Sequence, residues 1–407
     1  MLIVMLALVC VFASCGKKDK DAASTDENPQ GLAFCLKDDG TYAVEIGYAK
    51  YLSKIEIPAT YNGKAVTEVG RFSDDNGNAV LAEIVIPNSV ITIGNYAFRY
   101  CSNLTRVTIP DSIITIGEDA FRGCSNLTSV TIPNSVISIG SGAFGYCSNL
   151  TRVTIPDSVT TIGGYAFAGC TALIYNEHNN IYYLGNATNP YVYLAVVKSF
   201  DRSSYVIHKD TKFIGSSAFS GCTSLTGIAI PDNVRSIGNS AFSGCSSLTD
   251  VTIGESVTAL DYSVFRNCRD LTNIEVDEAN TAYRSFYGNL YSKDGTVLIA
   301  YACGKLDETF IIPDFVTTIG DYAFYYCSNL TNVTIGNSVT SIGWNAFEGC
   351  TRLETAIFVN PNGWWCGFGD GSTRDVELLA SELSYTYTAA YYLWAEYCWS
   401  CYWYRTE

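Results

Sequence analysis

"CSNLTRVTIP" occupies Cys101 to Pro110, and "CSNLTSVTIP" returns at Cys124 to Pro133, 23 residues later. The same step orders nine phenylalanines into three runs: Phe98, Phe121, Phe144 and Phe167, then Phe219, Phe242 and Phe265, then Phe324 and Phe347. Three positions after each stands a cysteine, from Cys101 to Cys350, and six positions after each a leucine, from Leu104 to Leu353. An Ile-Gly pair such as Ile93-Gly94 precedes eight of the nine, with Leu260-Asp261 as the exception.

This spacing predicts the local structure. Leu104, Val107 and Ile109 follow L-x-x-L-x-L, and the last two alternate with polar residues, so "RVTI" reads as a short strand with one buried face. Pro110 ends the strand, and Asp111 and Ser112 suit the turn that follows. Gly94 permits a tight bend or a close backbone approach, and "YAF" reads as a short helical turn that sends phenylalanine inward. One unit is one coil. A single coil buries too little apolar surface to offset the entropy of ordering its own backbone, so neighbours must supply the rest. Identical residues recur because each packs on its own copy one coil away. The expected fold is a repeat solenoid of 23-residue coils with short parallel β-strands and short helical turns.

"IPNSVISIGSGAFGYCSNL" and "IPDSVTTIGGYAFAGCTAL" resemble the BspA-like leucine-rich repeat family of bacterial surface proteins. The flanks "IEIP", "VTEVG" and "NPNGWW" resemble its terminal segments, so the likeness runs from about Leu32 to the end. It implies a cell-surface, adhesion-type binding role without catalysis.

The predicted organisation follows from where the repeat is clean. Residues 31–87 are N-terminal capping repeats, 88–173, 214–276 and 312–358 are three repeat blocks, and 359–407 is an aromatic C-terminal cap. Residues 174–213 and 277–311 interrupt the period with alternating Tyr, Val and Leu around Gly-Asn or Asp-Gly turns, and read as projecting β-hairpin inserts. Residues 1–15, "MLIVMLALVCVFASC", form an apolar run shorter than the roughly 20 residues that span a bilayer, which fits a secretion signal. "FASC" resembles a lipoprotein signal in which Cys15 is acylated, with residues 16–30 as a flexible tether. No Lys or Arg precedes the apolar run, and Phe12 stands where such signals usually carry Leu.

With 25 Lys plus Arg against 40 Asp plus Glu, the net charge is −15, and no basic cluster is longer than "GKKDK". That balance argues against nucleic acid, whose binding needs basic side chains to release counterions. The nine repeat cysteines, at one stacked position, read as a column of small buried thiols: adjacent coils meet the distance rule for a bridge, but parallel Cβ vectors fit its torsion poorly. "CWSC", Cys398 to Cys401, has redox spacing, yet only six residues follow it, so local packing in the cap is the safer reading; zinc binding with Cys366 is a weaker option. His178 and His208 read as hairpin surface residues, and "SDDNGN" at residues 73–78 as a turn rather than a calcium loop. No cofactor is expected.

What remains is a surface. Beside the buried Val and Ile of each strand, the outward positions are Arg106 and Thr108, Ser129 and Thr131, Arg152 and Thr154, Asp250 and Thr252, Asn273 and Glu275, Asn332 and Thr334. These are the expected contacts for an extracellular protein or glycan ligand on a concave face, with the lipid anchor as the sole membrane contact. The competing readings are a structural or self-associating coat spacer and a thiol-redox protein using Cys398 and Cys401.

Overall fold

The computed structural model describes residues 30–73, 76–261, 263–368, 376–396 and 401–406. Cys15, Cys398, the signal and the tether through residue 29 lie outside the described residues, as do two of the residues of "SDDNGN". The chain divides into two compact units, Met1–Ile174 and Tyr175–Glu407. Each is a stack of coils.

In the first unit every regular coil carries two strands. One row runs through Thr92–Ile93, Thr115–Ile116, Ser138–Ile139 and Thr161–Ile162, each parallel to its copy 23 residues on. The other contains the expected "RVT" strands: Lys54–Glu56, Glu83–Val85 and Arg106–Thr108 pair in one sheet, and Ser129–Thr131 with Arg152–Thr154 in another. The "TI" strand escapes a sequence reading because two residues are too few to show an alternation. The first row begins with an antiparallel hairpin, Ala33–Leu36 with Tyr42–Glu45, whose second strand pairs parallel with Lys64–Val69.

Between the two rows, where a short helical turn is expected, the chain turns differently. Tyr96 and Tyr100 both adopt left-handed backbone, at φ 61° and 58°. Alternate amides leave the coil: Tyr96 N–H donates to Glu118 O at 2.8 Å, Phe98 to Ala120 at 2.7 Å and Tyr100 to Arg122 at 2.6 Å. The intervening amides of Ala97, Arg99 and Cys101 close local turns onto Gly94, Tyr96 and Phe98. A helix would satisfy its amides within the coil; here half of them stitch the coil to the next one.

The core is a set of ladders. Phe98, Phe121, Phe144 and Phe167 stack with centroids 5.2, 5.2 and 5.7 Å apart and planes within 20° of parallel. Beside them the cysteines are more than small hydrophobes. Cys124, Cys147 and Cys170 each donate S–H to a phenylalanine carbonyl 26 residues back, at 3.1, 3.1 and 3.0 Å. The Ile-Gly glycines let coils approach: a Cβ on Gly140 would stand 2.5 Å from the Glu118 nitrogen.

The second unit repeats this plan with two elaborations. Asn176–His178, Ile181–Leu184 and Tyr193–Val197 form an antiparallel meander, and Tyr193–Val197 then pairs parallel with Phe213–Ile214. Likewise Tyr283–Phe286, Asn289–Ser292 and Val297–Ala300 are antiparallel, and Val297–Ala300 joins Thr318–Ile319 in parallel. Both inserts therefore do not project as separate hairpins: their last strands are rungs of the repeat row. Thr309–Ile311 is also a repeat strand, paired with Asn332–Ile335. Cys401–Arg405 pairs antiparallel with Ser341–Ile342, and Trp364–Phe368 and then Val376–Glu377 extend the sheet beyond it.

One cysteine departs from the thiol column. Cys327 forms a disulfide with Cys303, at a Cα separation of 4.5 Å. The reason is local: Tyr301 takes the phenylalanine position one coil before Phe324, stacked at 5.1 Å, so the end of the insert is a disguised coil. Cys303 sits one residue short of the column register, two residues after Tyr301 rather than three. The other eight repeat cysteines are buried in the column.

Candidate binding faces

The strand row exposes the side chains that the alternation assigns to it. In Arg106–Thr108, Ser129–Thr131 and Arg152–Thr154 the outer residues are exposed and the central valine is buried. In the second unit Asp250, Thr252 and Glu275 are exposed, while Asn273, Asn332 and Thr334 are half-buried. Register brings like positions together: Ser129 faces Arg152, Thr131 faces Thr154, Asp250 faces Asn273 and Thr252 faces Glu275. Asn332 donates to Thr309 Oγ1 at 3.4 Å and accepts from Thr355, a polar ladder across three coils.

A groove of about 530 Å³ lies along this face in the first unit, lined by Arg106, Thr108, Asp111, Ser129, Thr131 and Pro133 among others. The Glu83 carboxylate, one coil before Arg106 in the register, is 3.7 Å from Lys54. Arg106 and Arg152 themselves make no ion pair among the described residues.

The corner between the strand rows is a second exposed surface, unmarked in the sequence reading. Arg99 and Arg122 both reach Asp119, at 3.3 and 3.4 Å. Their guanidinium groups lie 4.8 Å from the ring centroids of Tyr100 and Tyr146. Its sequence signal is the alternation Tyr100, Gly123, Tyr146, Gly169 two residues after each phenylalanine.

The residues with chemical potential elsewhere are arranged for packing. Burial pushes the Cys101 and Cys268 thiols up to about 12 and the Cys124 thiol well above its ordinary value, which suppresses the reactive thiolate. Cys366 and Cys401 are buried on antiparallel strands, opposite Trp403 and Phe368. Cys401 thus opens a strand rather than a helix. Among the described residues no group of three or more His, Cys, Asp or Glu could hold a metal ion, and no helix is long and apolar enough to cross a membrane. His178 and His208, both in the first insert, are in contact at a centroid distance of 4.9 Å.

The sequence model of the BspA type leucine rich repeat region, in six copies, matches residues 76–190, 198–292 and 300–362, more than half of the chain. The chain belongs to the BspA-type leucine-rich repeat family. Solved structures similar to it include a leucine-rich cell surface protein from Faecalibacterium prausnitzii, 30% identical, covering 81% of this chain and 75% of that one with a TM-score of 0.36. A leucine-rich repeat protein from Bacteroides ovatus is 24% identical over 80% of this chain and 92% of its own, with a TM-score of 0.34. The pneumococcal vaccine antigen PcpA is 21% identical over 81% and 69%, with a TM-score of 0.29. No curated protein matches the chain. In this BspA-type chain the matched segments carry all nine Phe-x-x-Cys corners, so the family pattern and the packed ladders are the same residues.

Proposed function

We propose that the protein is an exported binding protein of the cell surface, anchored by acylated Cys15, that recognises an extracellular protein or glycan through its exposed strand row. The observation that carries this reading is the first unit's groove, where Arg106 lies beside Thr108, Ser129 and Thr131 without an ion-pair partner. An exposed guanidinium two coils from a second one, Arg152, is poised for carboxylate or sulfate groups, to which arginine offers a planar fork of donors. The surrounding Ser and Thr hydroxyls supply both donors and acceptors. Family membership supports the surface role, and the apolar run before Cys15 supports export and anchoring.

The test uses the soluble chain from Gly31 in a pull-down from extracellular proteins and glycans. Captured ligand should be lost, by about tenfold or more in affinity, in the double variant Arg106→Glu and Arg152→Glu, with melting almost unchanged because both side chains point outward. Undiminished capture by that variant would sink the strand-face reading. Cys15→Ala should release the protein from the membrane fraction, and failure of the wild type to incorporate labelled fatty acid would sink the anchor.

A further inference from the structure

Left-handed backbone is costly for any residue with a side chain, and glycine is its natural occupant. Each corner of the first unit has such a site two residues after phenylalanine. Coils fill it in turn with Tyr100, Gly123, Tyr146 and Gly169, at φ 58°, 72°, 59° and 72°. The glycine coils show that the corner closes without a side chain. Tyr100 and Tyr146 gain little burial in return, remaining 36% and 55% exposed.

The alternation has a steric logic. A Cβ on Gly123 would stand 2.4 Å from Cδ1 of Tyr100, and one on Gly169 2.7 Å from Cδ1 of Tyr146. Each ring thus rests against the bare backbone of the next coil and is held in one orientation, two coil rises, or about 10 Å, from its counterpart. Arg99 lies over Tyr100 and Arg122 over Tyr146. These two cations share one carboxylate, Asp119, so they keep an excess positive charge on a chain of net charge −15.

Tyrosine and arginine are the side chains that most often dominate binding hot spots, because they give large contact area at small cost in lost freedom. We propose that the ridge of Tyr100, Arg122 and Tyr146 is a docking surface for an extended acidic segment of a partner protein, separate from the strand row. Three residues of extended chain, at about 3.3 Å each, cover the distance between the rings. Apolar side chains of the partner meet the ring edges, and its carboxylates meet the arginines. A sugar is the poorer fit: a guanidinium lies over each ring and the next coil's glycine stands against it, which reduces the face left for a pyranose to stack on.

Fluorescence anisotropy of the full chain with a short labelled peptide built from Glu and Phe, with both residue types on each face of its extended form, tests this. Saturable binding is expected, weakened about tenfold or more by Tyr100→Gly with Tyr146→Gly and by Arg122→Gln. The glycine variant places at these sites the residue that neighbouring coils already use, so its melting should stay near wild type. The double variant Arg106→Glu and Arg152→Glu should bind the peptide normally, which separates failure here from failure of the strand-face reading. The proposal is overturned by absent saturable binding, by glycine variants that bind as wild type, or by equal binding of a Lys-Phe peptide. Displacement by neutral oligosaccharide would make the ridge a glycan site instead. A large drop in melting of the glycine variant would make the tyrosines structural.

Discussion

Cys147 fills a slot between stacked coils and also donates its S–H to the carbonyl of Phe121, a group already receiving the amide of Cys124. Its small size and inward direction were legible from the position three residues after Phe144. The hydrogen bond was not, because its acceptor lies 26 residues back and becomes a neighbour only once coils stack. Cys147→Ala should cost about 1 kcal/mol, a small cavity plus a weak donor, whereas Phe144→Ala, which opens the ring stack between Phe121 and Phe167, should cost about 3 to 5 kcal/mol. Urea melts of the two variants check the ratio; equal losses would mean that the thiol ladder carries as much of the core as the rings do. The corner tyrosines alternate with glycine in plain view, but only the φ angles tie that alternation to a left-handed corner.

At the scale of elements, the strands with alternation were read correctly and the two-residue strands were not, since a row of "TI" pairs is stabilised by its copies rather than by any local pattern. The first insert illustrates the same limit. Its Tyr, Val and Leu alternation announced strands, yet the meeting of His178 with His208 depends on how the meander folds back. His208 Nδ1 accepts the Asp210 amide at 3.2 Å, its ring lies 4.0 Å from that of Tyr191, and its own amide donates to Tyr183 Oη at 3.1 Å. Asn179 Nδ2 lies 2.9 Å from His178 Nε2, and Asp210 and Lys209 are the nearest charges on the loop. Burial first, then His178 and Lys209, hold the His208 imidazole below its ordinary value, against the pull of Asp210. The folded form therefore favours neutral His208. The stability this gives is present above about pH 6.5, the unfolded value, and is lost as pH falls through the lower folded value. Melting of the second unit should decline between about pH 7 and pH 5, and His208→Gln should flatten that decline; an NMR titration midpoint above 6.5 would contradict the assignment.

At the scale of the whole molecule the period carries the reading: once 23 residues make a coil, the ladders and the family follow. The disulfide was hidden for the complementary reason that Cys303 lies one residue out of register. It bridges a sequence separation of 24 and should stabilise the second unit by about 3 kcal/mol through loop closure. Calorimetry with and without dithiothreitol should lower only the transition of that unit, with the Cys303 to Cys327 peptide pair found by mass spectrometry; an unchanged scan would exclude the bridge. The tyrosine and glycine alternation also bears on how such a gene can change length. Loss of one repeat through unequal recombination preserves every phenylalanine, cysteine and leucine ladder. Removing the coil that contains Gly123, however, sets the Tyr100 ring against Tyr146 instead of glycine, where even a Cβ would stand 2.4 Å away. Removing two coils restores the match by bringing Gly169 beneath that ring. Loss of a tyrosine coil instead leaves two glycines as neighbours, as Gly221 and Gly244 already are, so only loss of a glycine coil leaves a scar on the surface that the core does not feel.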